Sequence, residues 1–150
     1  MDGIKTGYLS VERYSLASSM LLDKRRITVV GSGFETKNLR SRESAKILNW
    51  GFRMFDTIQI SKKGDVFESL EVWLGKKHKV ETYIDEDLYI TVPKRKKSII
   101  KAEIEYTGPI EAPINKDDKV GIVNVYVDGE LKNKLDLYSK ETINKLNIFS

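Results

Sequence analysis

The sequence predicts an α+β chain in two parts, a mixed strand-and-helix segment over residues 1–56 and an antiparallel β-sandwich over residues 57–150. Three observations predict it. Strand and helix signals alternate through the first third of the chain. One long amphipathic helix closes that third. From Ile58 onward, short β-like runs follow one another, separated by turn signals with no helical period between them.

Gly3 to Tyr8 forms a short run bracketed by glycines. Ser15–Leu22 and Arg26–Val30 read as strands, joined through Asp23-Lys24-Arg25 as a hairpin connection, and Gly31-Ser32-Gly33 is expected to break the second. A helix follows from Glu35 or Thr36 to Phe55, with Thr36 as its N-cap. Leu39, Ala45, Leu48, Phe52 and Phe55 recur near a 3.6-residue period and define its buried stripe, while Arg40, Arg42, Glu43, Lys46 and Arg53 supply polar faces. Beyond Asp56-Thr57 the expected strands are Ile58–Ser61, Ser69–Leu74, Lys79–Ile84, Leu88–Val92, Ile99–Tyr106, Val120–Val127 and Leu131–Leu137. Turn pairs such as Lys63-Gly64 and Asp128-Gly129 separate them, and the stretches Leu88–Val92 and Lys101–Tyr106 show the two-residue alternation of a half-buried sheet. The second part is large enough to stand alone. The first offers three strands and a helix with too little apolar surface to close a core, and reads as a piece of something larger.

Composition narrows the chemistry. With 40% hydrophobic and 32% charged residues the chain is globular in type. No apolar run reaches the length of a membrane span, and Met1 to Lys5 holds no apolar leader. Cysteine is absent and His78 is the one histidine, which excludes disulfides and thiolate nucleophiles and leaves no ligand set for zinc; neither a metal nor a cofactor is expected. The net charge of +4 is mild. Its densest cluster, Lys94-Arg95-Lys96-Lys97, lacks the interleaved aromatics of a base-stacking surface and reads as a solvated turn, so no nucleic-acid partner is expected.

Motifs carry the rest. Asp2-Gly3-Ile4-Lys5-Thr6-Gly7-Tyr8 is followed by Tyr14-Ser15-Leu16-Ala17-Ser18-Ser19, Arg26-Ile27-Thr28-Val29-Val30-Gly31, Arg40-Ser41-Arg42-Glu43-Ser44 and Leu48-Asn49-Trp50-Gly51-Phe52-Arg53-Met54-Phe55. In that order they resemble the D-G-x-K-T-G box, the following strands and the helix of the D-alanyl-D-alanine carboxypeptidase family of low-molecular-weight penicillin-binding proteins. Glu86 to Pro93, Glu111 to Ile114 and Val120 to Val125 resemble landmarks of that family's C-terminal β domain. The resemblance covers nearly the whole chain. Arg13 stands where the family usually has glycine, and Leu9 where it has threonine or serine.

The resemblance implies that residues 1–56 are the C-terminal fragment of a transpeptidase/β-lactamase-like domain. It further implies acyl transfer by an active-site serine, acting on peptidoglycan stem pentapeptides and trapped by β-lactams. It assigns substrate-binding roles to Lys5, Thr6, Gly7, Tyr8 and Arg40. Lys5 places a cation beside the nucleophile and the substrate carboxylate, and Thr6 donates its hydroxyl to the terminal D-alanine carboxylate. Gly7 lets substrate backbone approach, and the Tyr8 backbone N–H serves an oxyanion hole. Arg40 holds the substrate carboxylate with a guanidinium suited to bidentate pairing.

The family's S-x-x-K and S-x-N motifs, which bring the nucleophile, lie upstream of K-T-G and do not occur before Lys5, so no catalytic nucleophile is assigned in this chain. Ser98-Ile99-Ile100-Lys101 has the S-x-x-K spelling, but it lies in a strand-like run, where residues i and i+3 face opposite ways. The resemblance also implies an extracytoplasmic site at the membrane surface with peripheral membrane contact, although the family's amphipathic anchor is barely begun here, Ile143–Ser150 being amphipathic but too short to hold a membrane. An edge of Arg26–Val30 left open invites a homo-oligomer. Two functions stand at this point: part of a serine carboxypeptidase completed by an N-terminal portion, or a non-catalytic β-sandwich interaction module.

Overall fold

A computed structural model describes residues 2–147. The chain divides into two compact units, one of Met1–Thr57 with Thr91–Lys97 and one of Ile58–Ile90 with Ser98–Ser150.

The first unit holds a three-stranded antiparallel sheet in the order β1-β2-β3, with β1 at Gly3–Leu9, β2 at Arg13–Leu22 and β3 at Arg25–Phe34. Asp23 and Lys24 alone make the β2–β3 turn, both with positive φ (49° and 64°), the geometry whose twist matches that of the flanking strands. Arg25, expected in the turn, is instead the first residue of β3. Its guanidinium donates to the carbonyls of Phe55 and, at 3.0 Å, Gly51, and lies 5.1 Å from the Phe52 ring. One cation thereby satisfies carbonyls at the negative end of the helix dipole.

Gly31-Ser32-Gly33 does not break β3, contrary to expectation. The strand runs on to Phe34, and a register shift between Leu16↔Gly31 and Tyr14↔Phe34 absorbs one extra residue. Gly33, at φ 78°, supplies the backbone such a bulge needs. Asp2, in the first motif, pins the sheet's near end. Arg26 on β3 donates to both its oxygens at 2.9 and 2.7 Å and to Ser19 on β2 at 2.8 Å, and the hydrogen bond from Arg26 lowers the Asp2 carboxyl pKa.

The helix α1 spans Lys37–Met54, and the Thr36 hydroxyl caps it by accepting from the Leu39 amide at 3.1 Å. Its buried face is Ser44, Leu48 and Gly51. Of the expected stripe only Leu48 is fully buried, while Leu39, Ala45, Phe52 and Phe55 are half-covered. Small residues explain the difference: a Cβ on Gly51 would stand 2.9 Å from Ile27 Cδ1, so the helix approaches the sheet where it has no side chain.

β4 at Phe55–Ser61 and β7 at Leu88–Pro93 form a two-stranded ladder. The second unit holds a six-stranded sheet ordered β8-β10-β11-β6-β5-β9. Its strands are β5 at Ser69–Trp73, β6 at Lys79–Tyr83, β8 at Ile100–Glu105, β9 at Ile110–Glu111, β10 at Lys119–Val127 and β11 at Glu130–Ser139. An all-antiparallel sheet was the expectation, but β5 and β9 pair parallel, Val72 opposite Ile110. β9 is two residues long, too short to show any period, so neither its existence nor its direction was readable. Val80, Ile84, Val123, Val125 and Leu137 have no exposed surface and form the core with Leu70, Leu88, Ile90 and Ile114.

Ile143 belongs to that core as well. It bridges Ile114 and is 2% exposed, and Leu146 donates its amide to Leu74. The expected start of an amphipathic anchor at Ile143 is therefore a correction as far as Asn147, because these residues add to the β unit instead. Residues 148–150 of that expectation lie outside the described part. The Lys94-Arg95-Lys96-Lys97 segment is an exposed turn, with Lys94 paired to Asp56 at 3.5 Å.

The two sheets differ in how their strands are flanked. β10 is hydrogen-bonded on both sides, whereas β3 pairs only with β2 among the described residues. Amides of β3 that face away from β2 should thus exchange with solvent faster than any amide of Val123–Val127. Hydrogen exchange read residue by residue checks this, and uniform slow exchange through Ile27–Val30 in a monomeric sample would contradict it.

Candidate functional site

β1 is the outer strand of its sheet, and every one of its residues is exposed. Its register with β2 sets which way each motif residue points. Thr6 lies opposite Leu16 and Tyr8 opposite Tyr14, so both share the face on which Leu16 and Ser18 are buried. Lys5 lies opposite Ala17 and Gly7 opposite Ser15, on the reverse face. A Cβ on Gly7 would sit 2.8 Å from the Ser15 hydroxyl, so that position stays bare on its own sheet's account.

Arg40 reaches this end of the sheet through an aromatic relay. Its guanidinium lies 5.7 Å from the centre of the Tyr14 ring, and the Tyr14 and Tyr8 rings are 4.8 Å apart with planes tilted by 45°. Thr36 caps the helix, and Arg40 sits in its first turns, where a positive charge has little help from the helix dipole. What holds it is the ring beneath it. Arg40 Nε is buried and without a hydrogen-bond partner, as are the hydroxyls of Ser18 and Ser44 on the facing elements. Lys5 and Arg40 have no carboxylate partner among the described residues, whereas Arg13, Arg26, Arg42 and Lys46 around them are all paired.

The structure thus brings Thr6, Tyr8 and Arg40 to one face and puts Lys5 and Gly7 on the other, along the same open edge. Tyr14 was not among the candidate residues, although it is the one that ties Arg40 to β1. The signal for it was its place opposite Tyr8 across a hairpin. Arg13 lies in the left-handed region (φ 59°) at the end of the Ser10–Glu12 turn, which gives the physical reason a glycine suits that position. Here Arg13 adopts that conformation and pairs with Glu35 at 3.2 Å.

The S-x-x-K spelling at Ser98 has no such setting. Ser98 precedes β8 with its hydroxyl buried and without a hydrogen-bond partner, and Lys101 on that strand is paired with Glu103 at 2.6 Å.

Comparison with known proteins places the chain. The family model described as penicillin-binding protein 5, C-terminal domain, matches residues 55–145. D-alanyl-D-alanine carboxypeptidase DacA of Escherichia coli (strain K12) is 33% identical over 150 residues, which is 99% of this chain and 37% of the relative. DacC of the same organism is 31% identical, over 99% of this chain and 38% of that one. The crystal structure of penicillin binding protein 5 from Haemophilus influenzae superposes with a TM-score of 0.80 at 31% identity, covering 94% of this chain and 42% of that one. The chain therefore spans well under half the length of these relatives. The chain belongs to the penicillin-binding protein 5 family of D-alanyl-D-alanine carboxypeptidases, and residues 55–145 are its C-terminal domain.

Proposed function

We propose that residues 1–56 form the substrate-carboxylate wall of a serine-type D-alanyl-D-alanine carboxypeptidase, completed by catalytic residues outside this chain. Residues 57–150 form the β domain that accompanies it. The observation that carries the reading is the pair of unpaired cations, Lys5 and Arg40, at an open edge strand whose Thr6 hydroxyl shares a face with Arg40. An extended peptide laid along β1 adds a strand to the sheet. Its terminal carboxylate then meets a hydroxyl donor and a guanidinium, while Gly7 leaves room for its backbone and the Tyr8 N–H is available to the carbonyl being attacked. The substrate is a peptide ending in D-Ala-D-Ala, as in peptidoglycan stem peptides, and the protein works where that polymer is, outside the cytoplasmic membrane. The open side of β3 is where a neighbouring strand, or a second copy, completes the sheet.

A titration tests the wall directly. An acyl-D-Ala-D-Ala peptide, added at millimolar concentration, should shift the amide signals of Thr6, Gly7 and Tyr8 in the NMR spectrum. The same peptide ending in a carboxamide should not, and Arg40→Ala should weaken the effect about tenfold or more, as expected for loss of a charge-assisted hydrogen bond. Shifts of equal size with the carboxamide, or shifts only on residues remote from β1, would overturn the assignment.

A second reading, a non-catalytic interaction module, is favoured by one observation: the β unit has a closed core of its own, independent of any substrate wall.

A further inference from the structure

The second unit has an open edge of its own. β8 is the last strand of the six-stranded sheet, pairing with β10 and with nothing on its other side among the described residues. Its middle residues Lys101, Ala102 and Glu103 are all exposed. Ile100, Ala102 and Ile104 lie opposite Val127, Val125 and Val123, all buried, so they continue the apolar face of the sheet to its rim. Ile100 and Ile104 are there only half-covered. An unpaired edge with a partly covered apolar face is a template for a further strand.

The sequence of that edge selects its partner. Ile100-Lys101-Ala102-Glu103-Ile104 is self-complementary about Ala102. If two copies of β8 lie antiparallel with Ala102 opposite Ala102, Lys101 of each meets Glu103 of the other, and Ile100 meets Ile104. The apolar residues of both copies then fall on the same side as the two cores. Slipping the pair by one residue turns the apolar side of one copy to solvent. The two nearest registers that keep the faces aligned put Lys101 on Lys101 or Glu103 on Glu103, and like charges directly opposite each other are destabilising. Within one chain Lys101 and Glu103 already pair at 2.6 Å, and the bond to Glu103 raises the Lys101 pKa. The edge is therefore charged yet locally neutral, accepting a mate of its own sequence in one register.

We propose that β8 is a homodimerisation edge, at which two copies of this chain join their six-stranded sheets antiparallel about a two-fold axis through Ala102. The contact is short, so the dimer is a weak one that forms as concentration rises. This edge is separate from β1 and β3, and the proposal does not depend on the carboxylate wall.

Sedimentation velocity over a concentration series, with charge reversal, tests it. Lys101→Glu sets a carboxylate against Glu103 twice per dimer and should raise the dimer dissociation constant about tenfold or more. Glu103→Lys should do the same. The double variant K101E/E103K exchanges both charges, rebuilds both the cross-strand and the within-strand pairs, and should restore dimerisation. Thermal melts of the three variants confirm that the monomer stays folded. Because the chain has no cysteine, Ala102→Cys gives a single reactive thiol that a short bis-maleimide should bridge into a covalent dimer, while Val30→Cys on β3 serves as the comparison. A sample that stays monomeric throughout, dimers indifferent to charge reversal, or bridging at position 30 without bridging at 102 would each overturn the proposal.

Discussion

A fluorescent penicillin should leave this chain unlabelled: after denaturation, no fluorescent band runs at its mass. Acylation needs a hydroxyl with a base beside it, because a serine at its ordinary pKa is a weak nucleophile. Among the described residues no serine has one. Ser18 and Ser44 are buried with no hydrogen-bond partner at all. Ser19 bonds the Thr28 hydroxyl and receives from Arg26, which cannot take up a proton. The Ser98 hydroxyl is likewise buried without a hydrogen-bond partner, and the Lys101 of its S-x-x-K spelling is engaged by Glu103. If the proposed carboxylate wall holds a β-lactam, it should release it intact, because without a nucleophile the bond to the protein does not form. A labelled band would mean a serine here has found a base that the structure does not show, and mass spectrometry of the labelled peptide would name it.

Legibility followed signal length. The helix was readable from its N-cap to its end, because eighteen residues repeat a period five times and Thr36 marks the start. The long strands of the second unit were readable because β10 is a Val- and Ile-rich run and β11 alternates Leu with polar residues, each bounded by turn signals. Where a signal is carried by one or two residues, it failed. β9 has two residues and no period. The Gly31-Ser32-Gly33 run spells a strand end, yet one glycine in a bulge spells the same thing, and pairing with β2 decided between them. The helix's contact face was misjudged because hydrophobicity was taken as its marker. Small residues at Ser44 and Gly51 instead let the backbone come close. For the proposed site, the motif order pointed to residues of β1 and to Arg40 but not to Tyr14, whose contact with Arg40 depends on cross-strand register and helix placement. Arg25 was hidden for the same reason: a cation beside a turn looks solvated until a helix end arrives at it.

Residues 57–150 expressed alone should fold and melt in one cooperative transition with a β-type far-UV spectrum. The second unit keeps its six strands within that segment, and its buried residues pack chiefly on one another. Val80, Ile84, Val123, Val125 and Leu137 are all fully enclosed, which for a segment of this size is enough apolar burial for an independent domain. The cut has a local cost. Lys94 loses the Met54 carbonyl that its amide donates to at 2.9 Å, and it loses the carboxylate of Asp56, so the 91–97 segment should fray first. That segment groups with the first unit, and its loss of order leaves the six-stranded sheet intact. Leu137→Ala in the shortened chain gives the scale. Leu137 has no exposed surface, and removing its side chain should cost about 2–5 kcal/mol, the lost transfer energy plus a cavity term set by how little the core can collapse around the void. Chemical denaturation with and without that substitution measures both quantities. The boundary near residue 57 is wrong if the shortened chain shows no cooperative transition, or if Leu137→Ala leaves its midpoint unmoved, since then the sheet is not the structure that melts.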